Sequence, residues 1–222
     1  MPRQENPQAP QQYVDLAQAR QMGRVVQVLQ GGSRLQSMRN KLLTISLFEG
    51  GSVLGLPDDP KPFDFRYDEV DRFTQHAVRK YVNGGYRGTD FTCWIGLYDG
   101  RTHRIGGQTT PSERHIVEDF IQYIDPRIAT AQLLRMQSAL RQGQPVEFGD
   151  YALEAGGLRL AYGFGKKKQK RLAWPDVQEV TIKAGSVQVK ARGKRLTWAT
   201  VNVLSVPNLT AFMTLVRAAT SG

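Results

Sequence analysis

Two stretches of the chain resemble each other in order and spacing: "ISLFEGGSVLGL" at residues 45–56 and "YALEAGGLRLAY" at 151–162, offset by 106 positions. A second match follows at nearly the same offset, "FRYDEV" at 65–70 against "LAWPDV" at 172–177, offset by 107. Apolar runs around a glycine pair read as two short strands and a tight turn. In both halves further strand-like runs follow, and then a helical pattern. An order-preserving offset of this kind marks an internal duplication. It constrains the 222 residues to two units of similar build, which the length accommodates as two small domains.

The remaining elements are assigned from periodicity and punctuation. Residues 1–12, rich in Gln and Pro, are expected to form a disordered tail. Val14, Ala17, Met22, Val25, Val26 and Leu29 fall on one helical stripe, which predicts an N-terminal helix within residues 13–34, against the presence of Gly23. The first unit is placed at 35–125. Within it Asp99–Gly100 is a hairpin turn between two apolar runs. Residues 74–90, containing "HAVRKYVNGGYRGTD", have no counterpart in the second half and read as an inserted loop. Thr110 with Glu113 forms a capping box, with Pro111 at the first helical position, so a helix starts there. Asp125–Pro126 repeats the start pattern and predicts a break, followed by a connecting helix over 126–143 that Gly143 stops. The second unit, 144–222, closes with an amphipathic helix bearing Leu209, Phe212, Met213 and Val216 on one face.

Thirty Lys and Arg stand against twenty Asp and Glu, a net charge of +10 that favours polyanionic partners without choosing among them. There is one cysteine, Cys93, so no intramolecular disulfide and no cysteine-paired zinc site can form, and a reducing compartment is expected. The amino-terminal residues lack the apolar stretch of a signal peptide, and no run has the length of a membrane span. A cytoplasmic protein is expected, with peripheral attachment to the inner face of the membrane as a variant.

Most of the excess charge lies in residues 164–195, where ten Lys or Arg stand against two acids. Side-chain parity predicts where they point. A two-residue turn at Ala184–Gly185 pairs Ile182 with Val187 and Val180 with Val189. A second turn at Gly193–Lys194 pairs Ala191 with Leu196 and Val189 with Trp198. Both keep the apolar side chains on one face. Glu179, Lys190 and Thr197 then share an outer row, and Arg192 faces Arg195 directly. Facing like charges are unfavourable unless an anion bridges them, and arginine can fork two hydrogen bonds to a phosphate or carboxylate. The anion-binding candidates are therefore Arg192 and Arg195, with Lys183, Lys190, Lys194 and the loop residues Lys166, Lys167 and Lys168 as accessories.

The pieces "LEAGGLRL", "KRLAWPDVQEV" and the final helix are similar to bacterial pleckstrin-homology-like (PH-like) domains, and the chain resembles a bacterial family of unknown function built from two such units. The resemblance implies an α+β fold. Each unit would be a curved antiparallel β-sandwich, or partly open barrel, capped by a C-terminal helix. In the segment Trp174-Pro175-Asp176-Val177 the tryptophan is expected to fill the barrel interior, Pro175 to bend the chain, and Asp176 to accept main-chain N–H groups. Phosphoinositide-binding members cluster basic residues in the loop between their first two strands. Here that loop is "EAGG", without a base.

The residues offer little for catalysis. His76, His103 and His115 lack metal-pair spacing. Cys93 sits in an apolar strand as a buried thiol. "GGYRG" at 84–88 lacks the Lys-Ser/Thr of a phosphate loop and reads as a flexible loop. The acids at 58, 59, 64, 68, 69 and 71 read as a solvated edge without a partner base. No catalytic residue, metal or cofactor is expected. The leading expectation is a non-catalytic interaction module for a protein, peptide or anionic ligand. The alternatives are nucleic-acid binding through the basic second half and peripheral binding to anionic membrane.

Overall fold

The structure, a computed structural model, describes residues 8–31, 43–56, 58–110, 115–163, 165 and 168–221. It is a mixed α+β chain that divides into two compact units: residues 1–71 with 75–124, and residues 72–74 with 125–222.

The first unit opens with helix α1 (Gln11–Ala19), which corrects two expectations. Gln11 and Gln12, assigned to the disordered tail, are helical. The helix expected over 13–34 stops at Ala19, and residues 25–31 form strand β1 (Val25–Gly31). The stop has a local cause. Gln21 turns left-handed (φ 53°). Its N–H bonds to the Gln18 carbonyl at 3.0 Å and the Met22 N–H to the Ala17 carbonyl at 2.9 Å. These two bonds satisfy the last helical carbonyls and turn the chain. Met22 and Ala17 then bury together with Tyr13, Phe48 and Val53.

Strands β2 (Leu43–Phe48), β3 (Gly51–Gly55) and β4 (Phe63–Arg66) complete a sheet of order β1-β2-β3-β4. Gly51 is required at the β2–β3 step, because a Cβ there would stand 2.5 Å from the Phe65 carbonyl oxygen. A 3-10 turn at Tyr67–Glu69 leads into β5 (Val70–Val82), β6 (Gly85–Leu97) and β7 (Thr102–Thr109), a second sheet of order β5-β6-β7. The Asp99–Gly100 hairpin forms as expected between β6 and β7.

Helix α2 (Ile116–Arg141) runs through Pro126, so the break expected at Asp125–Pro126 does not occur. Proline removes one N–H and crowds the preceding turn. The loss is confined to one bond of a 26-residue helix, and the Thr130 hydroxyl adds a bond to the Pro126 carbonyl at 2.8 Å. The expected capping box involves residues 111–114, which lie outside the described residues.

The second unit repeats the sequence of events. Strands β8 (Val146–Phe148), β9 (Tyr151–Glu154), β10 (Gly157–Tyr162) and β11 (Lys168–Ala173) form a sheet in chain order. A 3-10 turn at Trp174–Asp176 follows, then β12 (Val177–Lys183), β13 (Ser186–Ala191) and β14 (Thr197–Asn202), and finally helix α3 (Leu209–Thr220). The 3-10 turns, at 67–69 and 174–176, and the strands after them, starting at 70 and 177, keep the offset of 107 seen in the sequence. Among the described residues the strands lie in four separate sheets and no closed barrel forms. Aromatic packing anchors this unit: Phe212 stands 5.3 Å from Phe148 and 5.4 Å from Tyr151, ring centre to ring centre, with all three fully buried. Burying three such rings is a large apolar contribution.

Trp174 differs from its expected place. It is half-buried against the core rather than filling the interior, and its indole N–H reaches the Glu154 and Ala155 carbonyls, each at 3.2 Å. A buried indole N–H needs an acceptor, and the adjacent β9–β10 turn supplies two. The Asp176 main-chain carbonyl accepts the Arg192 N–H at 2.7 Å.

Candidate binding surface

The basic strands of the second unit keep half of their expected register. Strand β12 pairs with β13 as Ile182 with Val187 and Val180 with Val189. Lys190 stands between Glu179 and Thr197 in one row, and its ammonium contacts the Glu179 carboxylate at 3.0 Å. The β13–β14 pairing departs from expectation. Val189 faces Ala199, not Trp198, because the register shifts between Val189 and Lys190. A bulge of this kind places an extra residue opposite one partner. Toward the turn Lys190 still faces Thr197 as expected, but β13 ends at Ala191 and β14 begins at Thr197, so the ladder stops short of Arg192 and Arg195 and they are not a cross-strand pair. The Arg192 guanidinium instead donates to the Pro175 carbonyl at 3.1 Å. Lys183, Lys194 and Arg195 are exposed. Lys166 and Lys167 lie outside the described residues, while Lys168, expected in the loop, opens β11 opposite Tyr162.

A facing arginine pair does exist elsewhere, at a place the parity reading did not reach. Arg159 on β10 stands opposite Arg171 on β11. The bridging anion is internal: Glu154 binds Arg159 at 2.7 Å and Arg171 at 3.0 Å, and Glu147 adds a contact to Arg159 at 2.5 Å. The bond from Arg171, then that from Arg159, holds the Glu154 carboxyl below its ordinary range against the opposing effect of burial. Lys170 is similarly committed. Its ammonium donates to the Trp198 carbonyl and lies 4.6 Å from the Trp198 ring centre.

In the first unit three of the acids expected to form an unpartnered edge, Asp64, Asp68 and Glu69, are paired with arginines. Asp64, almost buried, contacts Arg20 at 2.7 Å and Arg101 at 3.4 Å. Arg20 also bonds Glu69, Arg66 bonds Asp68 at 3.0 Å, and Arg101 bonds Asp99 at 2.7 Å. Arg66 further donates to the carbonyls of Arg20 and Gln21, at 3.2 and 3.4 Å, securing the chain after α1. Ion pairs that tie elements together in this way serve the fold.

Residues 74–90 do not form the expected loop. They are the outer part of a long antiparallel ribbon, β5 and β6, each thirteen residues, turning at Asn83–Gly84 with both residues left-handed (φ 51° and 77°). An Asn-Gly pair between apolar residues is a strong hairpin signal, and it was present in "YVNGGY". Tyr81 and Tyr86 meet across the ribbon, 5.8 Å between ring centres. Gly88 marks where the ribbon leaves the sheet. Its φ is 135°, and a Cβ would stand 2.0 Å from the Thr109 carbonyl oxygen. Below the tyrosines a cleft of about 540 Å³ is lined by Arg79, Tyr81, Tyr86, Thr89, Phe91 and Glu118, among others.

The chain belongs to DUF6585, a family of unknown function. The family model matches residues 35–222, and therefore includes the ribbon and both 3-10 turns but not α1 or β1. No curated protein matches the chain.

The candidates for chemistry are separated. Cys93 is buried on β6, and burial pushes its thiol up to about 12, partly offset by a bond from the Ile105 main chain. His103 stacks on Phe63 at 4.6 Å, and loss of water holds its pKa below the ordinary value. His76 lies on β5, and the His115 Nδ1 accepts the Val117 N–H at 3.2 Å. Among the described residues no group of three or more His, Cys, Asp or Glu is placed to hold a metal ion, and no helix is long and apolar enough to cross a membrane.

Proposed function

We propose that the chain is a tandem bacterial PH-like protein acting as a non-catalytic binding module for a protein, peptide or anionic ligand. Each unit is taken as a partly open, seven-stranded antiparallel sandwich followed by a helix. The repeated order of a four-stranded sheet, a 3-10 turn, a three-stranded sheet and a helix supports this fold assignment. Commitment of the arginines and acids to one another, and a thiol kept protonated by burial, favour binding over catalysis.

The observation that carries the reading is the ribbon. It exposes aromatic, aliphatic and basic side chains on a two-stranded arm that the described residues of the second unit lack. Exposed apolar groups clustered in this way mark contact sites. Nucleic-acid binding through the second unit is the alternative reading, with Lys183, Lys194 and Arg195 still exposed, but Arg192 and Lys190 have internal partners.

Binding should be assayed on the full chain with anionic vesicles, a single-stranded oligonucleotide and a lysate of the native host. Tyr81→Ser with Tyr86→Ser is expected to remove whichever association is seen. Undiminished association in that variant would move the contact surface away from the ribbon, and no association in any assay would refute the module.

A further inference from the structure

We infer that the tip of the β5–β6 ribbon enters the headgroup region of an anionic bilayer, so that the module docks on a membrane surface through its first unit. This inference rests on the binding-module reading and names its partner.

The first ground is that apolar side chains occupy both faces of the tip. Arg79 and Tyr81 line the cleft, so the alternation of a strand turns Val78, Lys80 and Val82 to the opposite face. Tyr81 is 58% exposed and Tyr86 40%, while Val78 is 41% and Val82 51% exposed on the other side. A protein groove or a nucleic-acid strand covers one face of a ribbon. A medium that surrounds the tip covers both. Aliphatic valines also gain nothing from stacking on bases, whereas tyrosine favours the boundary between apolar and aqueous phases.

The second ground is charge. Between residues 76 and 90 there are three Lys or Arg and one acid. Lys80 pairs with that acid, Asp90, at 2.6 Å. Arg79 and Arg87 make no ion pair or hydrogen bond with the described residues and flank the tyrosines along the chain. Cations set just behind an apolar tip meet anionic headgroups while the tip lies among the upper parts of the acyl chains. The third ground is rigidity. The left-handed turn at Asn83–Gly84 and the close approach at Gly88 define the hairpin and its point of exit from the sheet.

The test uses the full chain with Val82→Cys. Its thiol can be labelled alone with a nitrobenzoxadiazole fluorophore, because the single native cysteine is buried. Emission is expected to rise with vesicles of equal parts phosphatidylglycerol and phosphatidylcholine, and not with phosphatidylcholine alone. Arg79→Glu with Arg87→Glu should weaken vesicle binding at least about tenfold. Tyr81→Ser with Tyr86→Ser should remove the emission rise while leaving the thermal transition in place. If that pair unfolds, Val78→Ser, at an exposed position, gives the same reading. Vesicle flotation without an emission change would place attachment elsewhere and overturn the proposal, as would absence of flotation. A label that responds to a single-stranded oligonucleotide or to host protein, but not to vesicles, would overturn the bilayer and leave the module standing. Silence toward all three would remove both.

Discussion

The two units share an order of strands and differ in what they add to it. After the 3-10 turn the first unit builds a hairpin from two thirteen-residue strands, where the second uses strands of seven and six residues. The second unit pairs Arg159 and Arg171 with Glu147 and Glu154, whereas the first leaves Arg79 and Arg87 without a partner among the described residues. The difference shows that charge density along the chain is a poor guide to which cations lack partners. The stretch 164–195 holds the greater charge, yet several of its cations are committed to carbonyls, rings and acids of their own unit.

The sharpest way to separate the units is to damage each one's anchor. Phe212→Ala removes the ring that joins Phe148 and Tyr151, and should cost about 3–5 kcal/mol, read as faster hydrogen exchange in β8–β10 and α3. Gly88→Val places a Cβ against the Thr109 carbonyl at a left-handed position and should cost more than about 3 kcal/mol, with exchange rising in β5–β7 instead. If both substitutions raised exchange equally everywhere, the distinction between the units would not hold in solution.

Smaller effects refine it. Glu154→Gln leaves Arg159 and Arg171 facing each other without their bridging charge, and should lower stability in denaturant titration by roughly 1–2 kcal/mol. His103 gives the first unit a pH dependence that the second, which has no histidine, lacks. Its folded pKa is depressed by burial, so its contribution is present above the unfolded value of about 6.5 and is lost as pH falls through the folded value. His103→Phe should flatten the melting-temperature slope below about pH 6.5. Glu179→Ala, which breaks an exposed pair with Lys190, should change stability by less than about 0.5 kcal/mol.

Much of the frame was legible because it depends on local pattern. Glycine steps, the Asp99–Gly100 turn and the pairing of β12 with β13 read correctly, and the internal offset located the paired 3-10 turns. Three misreadings have one origin. The stripe through Val14, Ala17, Met22, Val25, Val26 and Leu29 fits helical spacing, but a capping closure at Gln21 and Met22 cuts it. Parity placed Arg192 opposite Arg195, but the ladder closes at Lys190 and Thr197, before the strands reach them. Asp125–Pro126 resembled a boundary, yet the helix absorbed it. Each was decided by how a few main-chain bonds closed, which residue types report weakly.

The sequence by itself determined that each half runs from strands into a helix, because alternation and turn chemistry act over a few residues. It also determined that Cys93 would be buried, since its neighbours are apolar. Only the tertiary structure decided which charges are available. Arg159 and Arg171 are paired because the β10–β11 register brings them to Glu154, and Asp64 because Arg20 and Arg101, distant in the chain, converge on it. The ribbon shows the division most clearly. Its Asn-Gly turn was written in the chain, but its exposure follows from the pairing of β6 with β7, which begins only at Thr89 and leaves the residues before it without a third strand.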